Sequence, residues 1–332
     1  MIEMTSVKVL SLTHEEDVDG IGAQAILFRF FKEYKSNTDS VTLISDLLGT
    51  QEFDDIILET ARTDYTSYLL YWSAILAQNL DKLDDELKKE LDIVKDFDKD
   101  IINIYSKIAN NAYLDKETLN LISNNADKFV NIDLVILTDL GFNVNFQSLL
   151  SVLEKTNIKV AYYDHHEPEE NIQKRLNEFC KNYVVDGVET SSEIVKECFM
   201  PSDDIANKIA VRGADADFNK YEFVETKRLQ SILNRKIADE ALEGIMLLLS
   251  EGKFNDSLID KLYKESEIWH NEQIEILKNQ TYQYVQENTT HGSVTITIGL
   301  SGMRPELATH HLERLYKEKH TQIEKNQIFV GI

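Results

Sequence analysis

Ile132–Thr138 (IDLVILT), followed by Asp139, and Ile158–Tyr163 (IKVAYY), followed by Asp164-His165-His166, decide how this chain folds. Each is a short run rich in Ile, Val and Leu, the mark of a strand buried on both faces. The stretch between them, roughly Asn145 to Lys155, reads as a helix. Strand, crossover helix, strand is the pattern of a parallel sheet, so the fold class is α/β. Upstream, Val7–Leu12 (VKVLSL) predicts another buried strand, which runs through THEEDVDGIGAQA into a helix over Ile21–Tyr34. Val41–Ser45 (VTLIS) reads as a further strand.

Between residues 54 and 127 the pattern changes to a helical insertion. Leu83, Leu87, Leu91 and Val94 recur at helical spacing among acids and lysines, and there is no proline. Such a stretch is a solvated helical face or, in the sharper reading, a cap over the site. Ser202, after Pro201, reads as an N-cap. Asp256–Asn288 predicts one long polar helix ending at Gly292. Val294, Ile296, Ile298 and Leu300 then alternate with polar residues as in a half-buried strand. Pro305 opens a helix in which His310 and His311 read as surface residues, and the chain ends on the strand IFVGI. An exposed terminal strand leads us to expect that the natural domain continues. The expected domains are 1–225 with the insertion, a helical connector over 226–289, and a smaller C-terminal α/β domain over 290–332.

The chain carries 35 basic and 58 acidic side chains, a net charge of −23 over 332 residues. That balance argues against neutralising the many phosphates of a long nucleic acid. A small phosphate compound is compatible with it if metal ions supply the positive charge. No apolar run reaches the roughly 20 residues of a membrane helix, and the N-terminus lacks a secretory pattern. Cys180 and Cys198 are too few for a disulfide framework and read as small apolar residues, so a cytoplasmic location is expected.

Acids and imidazoles cluster where the strands end. His14, Glu15, Glu16, Asp17 and Asp19 follow the first strand, Asp139 follows VILT, and Asp164, His165 and His166 follow AYY. Asp215 and Asp217 lie in RGADADF at a predicted helix end. In an open α/β sheet, ligands bind at the carboxyl edge of the strands. Carboxylates converging there repel unless a cation neutralises them. Oxygen ligands with a minority of histidine suit Mn2+ or Mg2+.

With these four clusters in order, the chain resembles the DHH phosphoesterase superfamily over about residues 7–220. The motif Asp164-His165-His166, the opening THEEDVDGIGA, VILTDLG and ETSSEIV carry the resemblance. It implies that Asp17 with His14, or Glu16 in its place, holds one metal and Asp19 the other, with Asp139 bridging both. It implies that His165 ligates the second metal with Asp164 orienting it, and that His166 faces the substrate phosphate. Either Asp215 or Asp217 completes the set, and spacing does not separate them. Ser191 and Ser192 are expected to line the pocket or to cap a helix. Arg304, in the nearest glycine-bearing loop of the second domain, is the expected phosphate contact, although the GGGH segment of many relatives is absent.

The resemblance implies a hydrolase in which two divalent cations, Mn2+ before Mg2+, activate water against a phosphodiester. RecJ-like exonucleases and short-oligonucleotide phosphodiesterases are the members it favours. The expected partner is a short nucleic acid or small phosphodiester, with no membrane and a homodimer left open. The alternatives are pyrophosphatase-type phosphoanhydride hydrolysis and a non-catalytic replication scaffold. The long insertion argues against the first, and the full set of ligand-type residues argues against the second.

Overall fold

Five strands form one parallel sheet whose order follows their burial. A computed structural model describes residues 6–33, 38–49, 53, 55–65, 67–109, 114–141, 146–289, 292–319 and 327–332. Strands β1 (Ser6–His14), β2 (Asp55–Thr63), β3 (Leu134–Thr138), β4 (Lys159–Asp164) and β5 (Lys181–Val185) run in the order β2-β1-β3-β4-β5. Every residue of β3 is buried, and β3 is the centre. Lys181 and Asn182 of β5 are exposed at one edge, where charge costs least.

Helices α1 (Val18–Glu33), α2 (Thr38–Leu48), α3 (Tyr68–Gln78), α4 (Asp85–Glu90), α5 (Phe97–Ile108) and α6 (Lys116–Asn124) precede β3. Helices α7 (Phe146–Leu153), α8 (Glu170–Phe179), α9 (Ser191–Phe199), α10 (Asp204–Asp217), α11 (Val224–Leu233) and α12 (Asp239–Ser250) follow it. One sheet face, with Leu10, Leu12, Val135 and Leu137, packs against Trp72, Ile75, Ile101, Ile104 and Leu149. Strand side chains alternate, so Tyr163 turns to the other face and meets Phe199 at 5.1 Å between ring centroids. There α1, α9, α10 and α12 pack together.

The helical stretch expected to be a solvated face or a cap is instead a layer of the core. Leu83, Leu87 and Leu91 are buried, and of that series only Val94 is exposed. Nor is the insertion wholly helical, because β2 opens it and pairs with β1. The run DIILETART hides this strand by carrying Glu59 and Arg62. Arg62 is buried and its guanidinium meets Asp239 of α12 at 2.7 Å, so charge inside the run is matched. Conversely, Val41–Ser45, expected as a strand, lies within α2. Ile44, Leu47 and Leu48 bury at helical spacing, and that period outweighs β-branched composition. The cap of α10 is Asp203, which accepts from the Ala206 amide, rather than Ser202. Asn145, where a helix was expected to begin, lies outside the described residues. Both cysteines are free and half-buried.

The chain divides into two units: 1–226 with 238–254, and 227–237 with 255–332. This differs from the expected boundaries, since α12 belongs with the sheet domain. The second unit contains α13 (Ser257–Asn279), α14 (Pro305–Lys319) and a sheet of β6 (Thr281–Thr289), β7 (Gly292–Gly299) and β8 (Gln327–Gly331). The expected helix Asp256–Asn288 thus stops at Asn279, and β6 pairs antiparallel with β7. The terminal IFVGI strand pairs parallel with β7. Leu277, Met303, Ala308, Leu312 and Leu315 form the core of this unit. His310 is exposed, but His311, expected at the surface, is buried. Among the described residues no helix is long and apolar enough to cross a membrane.

Asn79 joins the helical layer to the sheet. Its amide donates to the carbonyls of Ile75 at 2.6 Å and Phe129 at 2.7 Å, and its oxygen accepts from the Ile132 amide at 2.8 Å. It is fully buried, so Asn79→Ala leaves main-chain groups unpaired. The expected loss is about 2–4 kcal/mol, measured as a lower denaturant midpoint with an unchanged slope. A loss below about 0.5 kcal/mol would contradict this role.

Candidate metal centre

The parallel sheet brings the ends of β1, β3 and β4 to one edge, and each end delivers a ligand-type side chain. Thr13 Oγ1 donates to the Gly20 carbonyl at 2.9 Å, and Thr138 Oγ1 donates to Thr13 Oγ1 at 2.8 Å. These bonds tie β1, β3 and the start of α1 together just beneath the site. Asp139 follows with φ of 56°, in the left-handed region that Asp tolerates better than most residues. Gly20 is needed at this junction. A Cβ there would collide with the His14 carbonyl oxygen and lie 3.0 Å from Asp139 Oδ2.

Two groups of side chains have ligand atoms close enough to hold an ion, and Asp139 belongs to both. One is His14, Asp17 and Asp139; the other is Asp139, Asp164, His165 and His166. His14 Nδ1 is 2.8 Å from Asp17 Oδ2 and 3.7 Å from Asp139 Oδ2. His165 Nε2 is 3.6 Å from Asp139 Oδ1 and 3.9 Å from Asp217 Oδ1. His14 Nε2, Asp139 Oδ2 and His165 Nε2 are buried without a hydrogen-bond partner. Buried polar atoms are rarely left so, and three converging at one edge fit a group of cations. The donor set of carboxylate and imidazole suits a divalent ion.

The two aspartates that spacing left open are separated by their surroundings. Asp215 is buried and accepts from the main-chain amides of Glu222 at 2.7 Å and Phe223 at 3.2 Å. It fixes the turn after α10. Asp217 instead faces His165.

Other expected roles change. Asp164 was to orient His165, but it holds His166, accepting from its main-chain N–H at 3.0 Å and facing its Nδ1 at 2.7 Å. Tyr162 donates its hydroxyl to the other Asp164 oxygen at 2.9 Å. Asp19 lies outside both groups. Its oxygens accept from the Ser191 amide at 2.8 Å, the Ser192 amide at 3.0 Å and the Ser192 hydroxyl. A carboxylate at the start of a helix is stabilised by unpaired amides and the helix dipole. Gly213 leaves room for this contact, since a Cβ there would overlap Ser192 Oγ and sit 2.5 Å from Asp19 Oδ1. Ser191 and Ser192 are fully buried and cannot line a pocket. They position carboxylates, Ser191 Oγ donating to Asp139 Oδ1 at 3.0 Å. Arg304 lies in the second unit, where its guanidinium donates to the Leu233 carbonyl at 3.0 Å.

Sequence reasoning missed Tyr65, in the turn after β2. Its ring centroid is 4.5 Å from that of His14 and 6.3 Å from that of His166. No motif marks it, and the strand that delivers it was itself hidden.

Crowded carboxylates shape the titration of the site. Burial raises Asp19 to about 8, with Asp139 and Asp17 adding to the effect. Burial and the Asp17 charge raise Asp139 to about 6. Burial opposes charge on His14, yet Asp139, Asp17 and Glu16 outweigh it and push the imidazole up to about 12. Burial also opposes charge on His165, but Asp139 outweighs it and raises the imidazole to about 9.

His14 and His165 hold protons at neutral pH that a cation must displace, so divalent binding should release protons and tighten as pH rises. Titration calorimetry with Mn2+ as probe, in buffers of differing ionisation enthalpy, measures this directly. Affinity independent of pH between about 6 and 8 would contradict it. A paired comparison tests the two aspartates. Asp215→Asn should lower stability by about 1.5–3 kcal/mol in thermal or denaturant unfolding, because charge-assisted bonds are lost. Asp217→Asn should leave stability unchanged or raised while weakening Mn2+ binding at least about tenfold.

Residues 8–217 match the family model for the DHH family, N-terminal domain. No curated protein matches the chain in sequence. Among solved structures, the chain is similar to a DHH domain whose protein is described as a member of a family of ribosomal proteins. That likeness has 12% identity and a TM-score of 0.51, covering 98% of this chain and 72% of the other. An exopolyphosphatase-related protein from Bacteroides fragilis matches with 13% identity and a TM-score of 0.31, over 89% and 65% of the two chains. An uncharacterized protein from Helicobacter pylori G27 matches with 12% identity and a TM-score of 0.32, over 95% and 80%. DHH proteins are generally metal-dependent phosphoesterases, and the acidic and imidazole groups at the sheet edge are able to hold metal. A model that matches residues 8–217, with Asp139 and Asp164-His165-His166 gathered at one edge of the sheet, places this chain in the DHH family.

Proposed function

We propose that this chain hydrolyses phosphodiester bonds in short oligonucleotides or other small nucleotides, using two divalent cations with Mn2+ preferred. The observation that carries this reading is Asp139, shared by two ligand groups and left with a buried, unpartnered oxygen. His14, Asp17 and Asp139 would hold one cation, and Asp139, His165 and Asp217 the other. Such a pair supplies an activated water and neutralises the charge of the scissile phosphate.

The chain's own side chains prepare the rest. Ser191 and Ser192 fix Asp139 and Asp19, so these carboxylates need not reorganise during reaction. The half-exposed His166 is held by Asp164, whose carboxylate raises the imidazole above its ordinary value. With Nδ1 directed to Asp164, Nε2 is left to donate to a phosphate oxygen or to the leaving group. Small substrates are favoured by charge. A long strand must run its phosphates past a surface of net charge −23, whereas one phosphate group is neutralised at the cations themselves.

A hydrolysis panel of dinucleotides, strands of about 20 nucleotides, cyclic dinucleotides and pyrophosphate, supplied with Mn2+, tests the reading. Efficiency should fall from substrates of two to five nucleotides to long strands. Chelator should abolish turnover, and Asp139→Asn or His166→Ala should lower it at least about 100-fold with the fold intact. Full activity in chelator would overturn the metal reading. Preference for pyrophosphate, or for long strands with a steep salt dependence, would overturn the substrate.

A further inference from the structure

Tyr65 comes from a part of the chain that none of the ligand motifs covers. It sits in the turn between β2 and α3, directly after the strand paired with β1. The pairing sets His14 opposite Thr63, so Tyr65 lies two residues past the level at which β1 ends. The Glu15 amide donates to the Thr63 carbonyl at 3.1 Å, and Asp64 accepts from the Ser67 amide at 2.7 Å. Both bonds fix the turn that carries Tyr65.

The ring packs beside His14 and lies within reach of His166. It is tilted 42° against His14 and edge-on, at 81°, to His166. The residue is 37% exposed, so part of it borders the space a substrate would enter. Its hydroxyl accepts from the Gly141 main-chain N–H. An oxygen that accepts one N–H keeps its own O–H to give.

The chemistry of the proposed substrate needs such a donor. Non-bridging phosphate oxygens only accept hydrogen bonds, while the carboxylates that dominate this edge also only accept. Negative charge grows on the phosphate during displacement, and preorganised donors aimed at it stabilise that charge. Tyr65 and His166 flank the same space and bring an O–H and an N–H to it.

We propose that Tyr65 is a catalytic residue, whose hydroxyl donates to a non-bridging oxygen of the scissile phosphate while its ring walls the site beside His14. The inference rests on the phosphoesterase reading and adds to it a donor from outside the ligand motifs. No covalent step is involved: the hydroxyl gives a hydrogen bond and transfers no proton.

Tyr65→Phe isolates the hydroxyl, because it keeps the ring against His14. With Mn2+-loaded protein and a dinucleotide substrate, kcat should fall about 100-fold while KM changes less than about threefold. Orthovanadate, added as a mimic of the five-coordinate phosphorus, should bind at least about tenfold more weakly to Tyr65→Phe than to wild type. Mn2+ affinity by calorimetry should stay within about twofold in Tyr65→Phe, and fall in Tyr65→Ala, which also removes the ring. If wild type turns over and binds vanadate but Tyr65→Phe matches it in both, the donor role is overturned and the phosphoesterase reading stands. If Tyr65→Phe loses Mn2+ affinity in proportion to kcat, Tyr65 supports the metal site and the donor role is again overturned. If wild type neither turns over any substrate nor binds vanadate, the phosphoesterase reading falls and takes this inference with it.

Discussion

The position of one carboxylate constrains the rest of the structure. Asp139 sits after the central strand, in a left-handed backbone conformation, with imidazoles from two neighbouring strand ends within 3.7 Å. To place it there the sheet must be parallel, β3 must lie between β1 and β4, and α1 must come close enough for Gly20 to pass the His14 carbonyl. The charge must also be held in a dry place. Ser191 donates to Asp139 and the start of α9 receives Asp19, so helix dipole and hydroxyls share a load that cations would otherwise carry alone.

That arrangement explains why so many polar groups are buried in an otherwise apolar layer. Asp19, Asp139, Asp164, Ser191, Ser192, Thr13 and Thr138 are each 2% exposed or less. Unpaired, they would cost more than the domain's net stability; paired, they specify one geometry. At this edge of the sheet, His14 Nε2, Asp139 Oδ2 and His165 Nε2 are buried without a hydrogen-bond partner. The two neighbouring aspartates differ in the same way: Asp215 is held by main-chain amides, whereas Asp217 faces His165.

The central strands were legible in the sequence because β3 and β4 are buried on both faces and therefore nearly free of charge. The site residues on those strands were legible for the same reason, since acids and imidazoles stand out at the ends of apolar runs. The edge strand β2 was not. Arg62 within it is paired to Asp239, a partner almost the whole domain away in sequence, and local pattern cannot reveal a distant counter-charge. Missing β2 also hid Tyr65. The segment Val41–Ser45 misled in the opposite direction, because β-branched residues suggested a strand where Ile44 and Leu47 bury one helical face. The roles of Ser191, Ser192 and Asp164 depended on which neighbour each reaches, and spacing carries no such information.

Whether Asp139 couples two cations is best tested by electron paramagnetic resonance of the protein loaded with two equivalents of Mn2+. A shared carboxylate brings the ions close enough for their spins to interact. Bridging by Asp139 predicts an exchange-coupled spectrum in wild type that gives way to isolated-ion signals in Asp139→Asn. Isolated-ion signals in the fully loaded wild type, or a coupled spectrum that survives in Asp139→Asn, would contradict it.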